Sequence, residues 1–212
     1  MEELEDINYP RDPTAKFHQR GLLDCKSVET PILVNHGLQI SEDTELANQG
    51  KYQRLVRKLI YLSHTRPDIA YAVGIVSQFM HRPHKDHYEA ALRIVKYLNR
   101  AVRHRIMFKK NEQRGVYGYT DADWASNPVD RRSTTGYFTF VEGNLVTWRT
   151  IKQKVVALSS AEVEFIVIKS GLMEILWLRR LMKEIGLAPD KSHIFVTIKR
   201  QSVSLRIQCN MC

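Results

Sequence analysis

Apolar side chains after residue 50 recur at helical spacing: Leu55, Leu59 and Leu62 lie on one side with Val56 and Ile60, while Lys51, Arg54, Arg57 and Lys58 occupy the other. That pattern predicts an amphipathic helix with a basic outer face. A second helix begins near Pro67, where proline suits a first turn, and carries Ile69, Val73, Val76 and Met80 with Ile75 and Phe79. Pro83 breaks that run, and a third helix over about Lys85–Asn99 lines up Tyr88, Ala91, Leu92, Val95 and Leu98 before a basic cluster of Arg100, Arg103, His104 and Arg105. Beyond Lys110 the period falls to two. Val116–Trp124, Thr135–Val141 and Leu145–Arg149 read as strands, with Glu142, Gly143 and Asn144 as a compact hairpin turn. A long helix then opens at Ser159, with Glu162 at capping-box spacing, and runs to Gly186 as its stop signal; Ile194–Ile198 suits one more strand.

These patterns divide the chain. Residues 1–48, punctuated by Pro10, Pro13 and Pro31, form a loop-rich lead-in; 49–110 form a helical subdomain; 115–190 form an α/β module; 191–212 form a tail. The module holds about 80 residues, a size that folds as a unit.

Composition sharpens the picture. In 212 residues, 43% hydrophobic and 26% charged is the balance of a globular protein with a buried core. A net charge of +9 favours an anionic partner, and nucleic acid above an acidic small molecule. Three cysteines make no disulfide framework, and the acidic start Met1-Glu2-Glu3 lacks the form of a signal peptide; both point to a reducing, intracellular compartment, with cytoplasm and nucleus left open. No apolar run approaches the roughly 18 residues of a membrane span.

Candidate chemistry centres on carboxylates. Asp121 and Asp123 stand two apart in a predicted strand, which puts both on one face. Either the strand has ended and Asp123 sits in a solvated turn, or the pair needs a divalent cation or an arginine to neutralise it. Glu162 is placed to cap the long helix. Glu164, between Val163 and Phe165, falls at the border of the buried face, as a surface charge or as a carboxylate in want of a cation. Pro83 separates His81 from His84 and His87, so a solvated loop is expected there rather than zinc. Cys209 and Cys212 form a lone C-x-x-C without the second pair of a zinc ribbon, and Asp68 is assigned to the first turn of its helix electrostatically.

The residues also carry a family resemblance. Lys58-Leu-Ile-Tyr-Leu-Ser-His-Thr-Arg-Pro-Asp-Ile-Ala-Tyr-Ala-Val73, then Gln78-Phe-Met-His81 and Arg93-Ile-Val-Lys-Tyr-Leu98, resembles the C-terminal part of the reverse transcriptase in copia-type LTR retrotransposon Pol polyproteins. Tyr119-Thr-Asp-Ala-Asp-Trp-Ala125, Asp130-Arg-Arg-Ser-Thr-Thr-Gly-Tyr137, Val146-Thr-Trp148 and Ser159-Ser-Ala-Glu-Val-Glu-Phe165 resemble the ribonuclease H domain that follows it. The resemblance implies a ribonuclease H-like α/β fold, a mixed sheet with flanking helices, incomplete at the C-terminus and preceded by the small helical subdomain. It further implies cleavage of RNA in RNA/DNA hybrids through two Mg²⁺ ions, with Asp121 and Glu164 matching family metal ligands and basic helix residues Arg54, Arg57 and Lys58 tracking phosphates. A place within a larger Pol polyprotein is implied as well.

The chain departs from that pattern in two places. No Tyr-x-Asp-Asp turn is present, so nucleotide addition is not expected. After the long helix the family carries Cys-Asp-Asn-Lys, whose aspartate is a third metal ligand, whereas here Val196-Thr-Ile-Lys199 stands, and from Lys191 to the end there are four Lys and Arg and no acid. Read one base earlier from the last base of the Phe195 codon, the permitted codons for 196–199 can spell Cys-Asp-Asn-Lys. A frameshift near Phe195 and an inactive remnant are therefore expected. The alternatives are a weak residual ribonuclease H, a basic module that holds RNA/DNA hybrid without cutting it, and a pseudogene product with no stable role.

Overall fold

A computed structural model describes residues 27–34, 36–40, 44–101, 104, 106–111, 115–125, 130–187, 189, 191–198 and 201–206. Most of the lead-in, Arg103, Arg105 and the Cys209/Cys212 pair lie outside them. The chain forms two compact units that divide between Arg105 and Ile106.

The first unit packs three helices, α1 (Gln49–Ser63), α2 (Pro67–Ser77) and α3 (Lys85–Arg100). Asn48 caps α1 by accepting the Lys51 N–H at 2.9 Å, and Pro67 opens α2 where a missing N–H costs nothing. The apolar stripes meet in one core, with Tyr52, Val56, Leu59, Ile69, Val76 and Ile94 fully buried. Fully burying such side chains contributes about 1.5–3 kcal/mol apiece.

Two polar knots tie the helices together. The buried Arg66 guanidinium donates to both Asp68 oxygens at 2.8 and 2.6 Å and to the Ala101 carbonyl at 3.0 Å, while the Tyr97 hydroxyl donates to Asp68 at 2.9 Å. Burial opposes ionisation of Asp68, but the hydrogen bonds and charge of Arg66 and the Tyr97 hydroxyl hold its carboxyl below the usual range. Asp68 therefore joins helix ends besides serving its first turn. The second knot corrects the expectation of a solvated histidine loop: His84 and His87 are each only 1% exposed. His87 stacks on Phe79 at 3.8 Å, its Nδ1 accepts the His84 backbone N–H at 2.9 Å, and its Nε2 lies 3.1 Å from the Gln39 carbonyl. With Nδ1 accepting, the ring proton belongs on Nε2, so the ring is neutral and caps α3. Only His81 is exposed, as expected.

The second unit is a five-stranded sheet of β1 (Val116–Asp123), β2 (Thr134–Val141), β3 (Asn144–Lys152), β4 (Ser192–Ile198) and β5 (Gln201–Arg206), with helix α4 (Ser160–Glu184). The order is β3-β2-β1-β4-β5; β4 runs parallel to β1 and every other neighbouring pair is antiparallel. Glu142 and Gly143, with φ of 49° and 74°, form the two-residue turn between β2 and β3, a left-handed pair that matches strand twist. Ser159 caps α4 by accepting the Glu162 N–H at 3.2 Å; the Glu162 carboxylate accepts from Leu158, one residue before the cap, at 2.8 Å.

Helix α4 covers one face of the sheet. Val116, Ile194 and Val196 pack there against Ile175, Leu178 and Met182. The approach is close: a Cβ on Gly118 would stand 2.6 Å from Ile175 Cδ1, and one on Gly171 2.5 Å from Thr120 Cγ2. Strand alternation sends Tyr117, Tyr119, Phe138, Phe140, His193 and Phe195 to the other face. Phe138, Tyr119 and Phe195 form a row across three strands, with ring centroids 5.3 and 4.8 Å apart and planes tilted by 15° at both steps. Those separations match the interstrand spacing, so the rings stand upright and show their edges to solvent.

The strand expected at Ile194–Ile198 is present, and the tail adds β5, which sequence reading did not foresee.

Candidate functional site

Asp121 and Asp123 project from the C-terminal end of β1. The strand runs through Asp123, opposite Thr134 on β2, so the turn reading of that residue gives way to the strand reading. Both carboxylates are exposed on the face away from α4, in line with Tyr117 and Tyr119. Partial burial and the neighbouring Asp121 charge push the Asp123 carboxyl above its ordinary value. No ion pair joins either aspartate to a cation among the described residues.

Glu164 is half-buried in the second turn of α4, while Glu162 is taken up by the cap. Ile175 sits over Gly118 and Gly171 over Thr120, so α4 runs antiparallel to β1 and its N-terminal turns lie at the end of the strand that carries Asp121. Trp124 pins this end by donating from Nε1 to the Ala157 carbonyl at 3.2 Å. The fold thus brings Asp121, Asp123 and Glu164 to one end of the sheet unit. It does not converge them: among the described residues, no group of three or more His, Cys, Asp or Glu is arranged to hold a metal ion.

Strand β4 shows why. Thr120 pairs with Val196 in parallel register, so position 197 is next in line with Asp121 on the adjacent strand. Threonine occupies that position. The family resemblance leads one to expect a carboxylate in this tail; which residue of β1 the tail would pair with is not legible in the sequence.

In the helical unit, Arg54, Arg57 and Lys58 are all exposed on α1, as is Lys51, and the helix has no acidic residue. Tyr61, 78% exposed, extends the same side and meets His64 edge-on, with centroids 6.4 Å apart and an interplanar angle of 82°. The sequence carries the signal for Tyr61, which falls three residues after Lys58 on the basic side of the helix. Among the described residues, no helix is long and apolar enough to cross a membrane.

The chain thus joins a helical unit with a basic helix to a mixed α/β unit with strand and helix carboxylates at one end. Comparison with known proteins gives the lineage. The chain is 36% identical over 184 residues to the retrovirus-related Pol polyprotein from transposon RE2 of Arabidopsis thaliana, a match covering 87% of this chain and 12% of that protein. It is 38% identical over 173 residues to the Pol polyprotein from transposon TNT 1-94 of Nicotiana tabacum, covering 77% of this chain and 13% of that protein. It is also 40% identical over 128 residues to Secreted RxLR effector protein 161 of Plasmopara viticola, covering 60% of this chain and 90% of that protein. Over most of its length, then, the chain is similar to retrovirus-related Pol polyproteins of transposons. It spans about an eighth of the length of the polyproteins it matches. No protein-family model and no solved structure matches it.

Proposed function

We propose that the chain is a remnant of the reverse transcriptase/ribonuclease H section of a Pol polyprotein, and that its sheet unit is a ribonuclease H-like module that no longer cuts RNA. The observation that carries this reading is the register of β4 on β1. The ladder ends at Thr120 and Val196, the residues just before Asp121 and position 197, where the neighbouring reading frame can spell aspartate and this chain has threonine. Two-metal hydrolysis needs carboxylates that hold two ions about 3.5–4 Å apart. Asp121 and Glu164 alone do not fit that pair, and Asp123 is not counted as a ligand in this reading. The aspartates remain as an unneutralised couple.

The helical unit keeps a nucleic-acid-binding role in this reading, through Arg54, Arg57 and Lys58. Its partner is nucleic acid, RNA/DNA hybrid included, and its binding is salt-sensitive and indifferent to Mg²⁺.

The test compares this chain with a version restored to the family frame after Phe195, on a labelled RNA/DNA hybrid with Mg²⁺. RNA cleavage by the restored chain alone is the expected result. Equal cleavage by both would overturn the inactive reading and make Asp121 and Glu164 the first residues to replace.

A further inference from the structure

We infer that α1 holds a single strand, with Tyr61 stacking on an unpaired base while the cations before it neutralise the flanking phosphates. This deepens the proposed nucleic-acid role of the helical unit and rests on it. Lys51, Arg54, Arg57, Lys58 and Tyr61 share the outer side of α1, and all five are exposed. Neighbours at i+3 and i+4 on a helix lie about 5–6 Å apart. Tyr61 is i+3 from Lys58, i+4 from Arg57 and i+7 from Arg54, so its ring closes a continuous row of cations.

Three features select the occupant. The helix contains no acid, so its outer face presents charge of one sign to a polyanion. Its apolar face is spent inside the protein, where Tyr52, Leu55, Val56, Leu59 and Leu62 are buried, so the helix has no apolar face left to lay into a lipid surface. The Tyr61 ring is 78% exposed, and its contact with His64 is edge-on, which leaves ring area open to a flat partner. A base inside a duplex offers no face to such a ring, because both its faces are covered by the stack. An unpaired base does, and stacking of this kind tolerates any sequence.

The experiment uses the full chain and fluorescence anisotropy on two labelled probes, a 12-nucleotide oligouridine RNA and a blunt RNA/DNA hybrid. Tyr61→Ala is expected to weaken single-strand binding by about 5- to 100-fold while leaving hybrid binding within about twofold. Its salt dependence on the single strand should stay unchanged, and Tyr61→Trp should restore affinity. Replacing Arg54, Arg57 and Lys58 together by Gln should weaken both probes and flatten the single-strand salt slope by about 2. If Tyr61→Ala binds both probes as the parent does, or loses both alike, the stacking assignment is wrong. If the triple replacement leaves both probes bound, the nucleic-acid reading of α1 fails beneath it.

Discussion

The two units bury their apolar surface in different ways. In the helical unit, fifteen buried apolar residues, fourteen from the three helices and Phe79 just beyond α2, close into one core around Tyr52, Leu59 and Ile94. In the sheet unit the corresponding cluster has six, all on the side of α4, while the second face carries a row of upright aromatic rings with Tyr119 37% and Phe138 44% exposed. A three-helix arrangement lets every stripe meet another stripe. A sheet has two faces, and one helix covers one of them. Among the described residues, the helical unit closes its core on three helices, and the buried apolar cluster of the sheet unit lies at the α4 interface.

That contrast is open to direct measurement, because Trp124, Trp148 and Trp177 all lie in the sheet unit and the helical unit has none. Tryptophan fluorescence reports one unit while far-UV circular dichroism reports both. The largest effect is expected from Leu59→Ala, a fully buried position, which should cost the helical unit about 2–5 kcal/mol in urea unfolding. The fluorescence transition should stay where it is; a matching shift in it would show that the units unfold as one.

Next comes Gly171→Ala. The new Cβ would fall 2.5 Å from Thr120 Cγ2 and 3.0 Å from Ile194 Cδ1, so helix and sheet must part. A loss of about 1–3 kcal/mol should appear in the fluorescence transition. No loss would mean that the α4 interface has slack and is not what holds this unit. Tyr119→Ser should cost less, about 1 kcal/mol, since it removes cross-strand ring contacts on the open face without opening a cavity. A cost as large as that of a core truncation would show that the aromatic face is packed in solution.

Acidification should separate the units by sign. Burial is the main cause that holds His87 below the ordinary 6.5, with the adjacent His84 adding to it against the Gln39 carbonyl. The unfolded chain therefore binds more protons as pH falls below about 6.5, and the helical unit loses stability from there downward, as protonated Nδ1 can no longer accept the His84 N–H. Burial likewise lowers His36, with the same sign. Asp123 works in the opposite sense. Burial and the Asp121 charge raise it above 3.8, so the folded sheet unit binds the extra proton, and this contribution to stability is lost as pH rises from about 3.8 through the raised value. Melting curves of His87→Gln and Asp123→Asn across this range should flatten the helical-unit and sheet-unit dependences respectively; an unchanged profile in either variant would remove that residue from the account.

Much of this was legible in order along the chain. Helical spacing marked α1, α2 and α3, alternation marked β1 to β3, Ser159 marked the start of α4, and the turn at Glu142 and Gly143 was readable because few residue pairs suit a two-residue hairpin. Asp121 and Glu164 were visible as carboxylates out of place. What stayed hidden depended on partners far away in sequence. His87 reads as a loop histidine until Phe79 and the Gln39 carbonyl enclose it, and the bond from Arg66 to the Ala101 carbonyl joins residues 35 apart in the chain. Strand β5 carried no clear pattern and is paired only because β4 presents an edge.

The sequence by itself determined the elements through β4, the basic acid-free outer face of α1, the strand carboxylates and the acid-free composition of the tail, because each follows from residue type at local spacing. Tertiary structure alone decided that β4 pairs with β1 up to Thr120 and Val196, that the Asp pair faces away from α4, and that among the described residues no helix covers that face of the sheet. Those are statements about register and about which face a helix covers, and both are set by packing between segments that the chain order does not make neighbours.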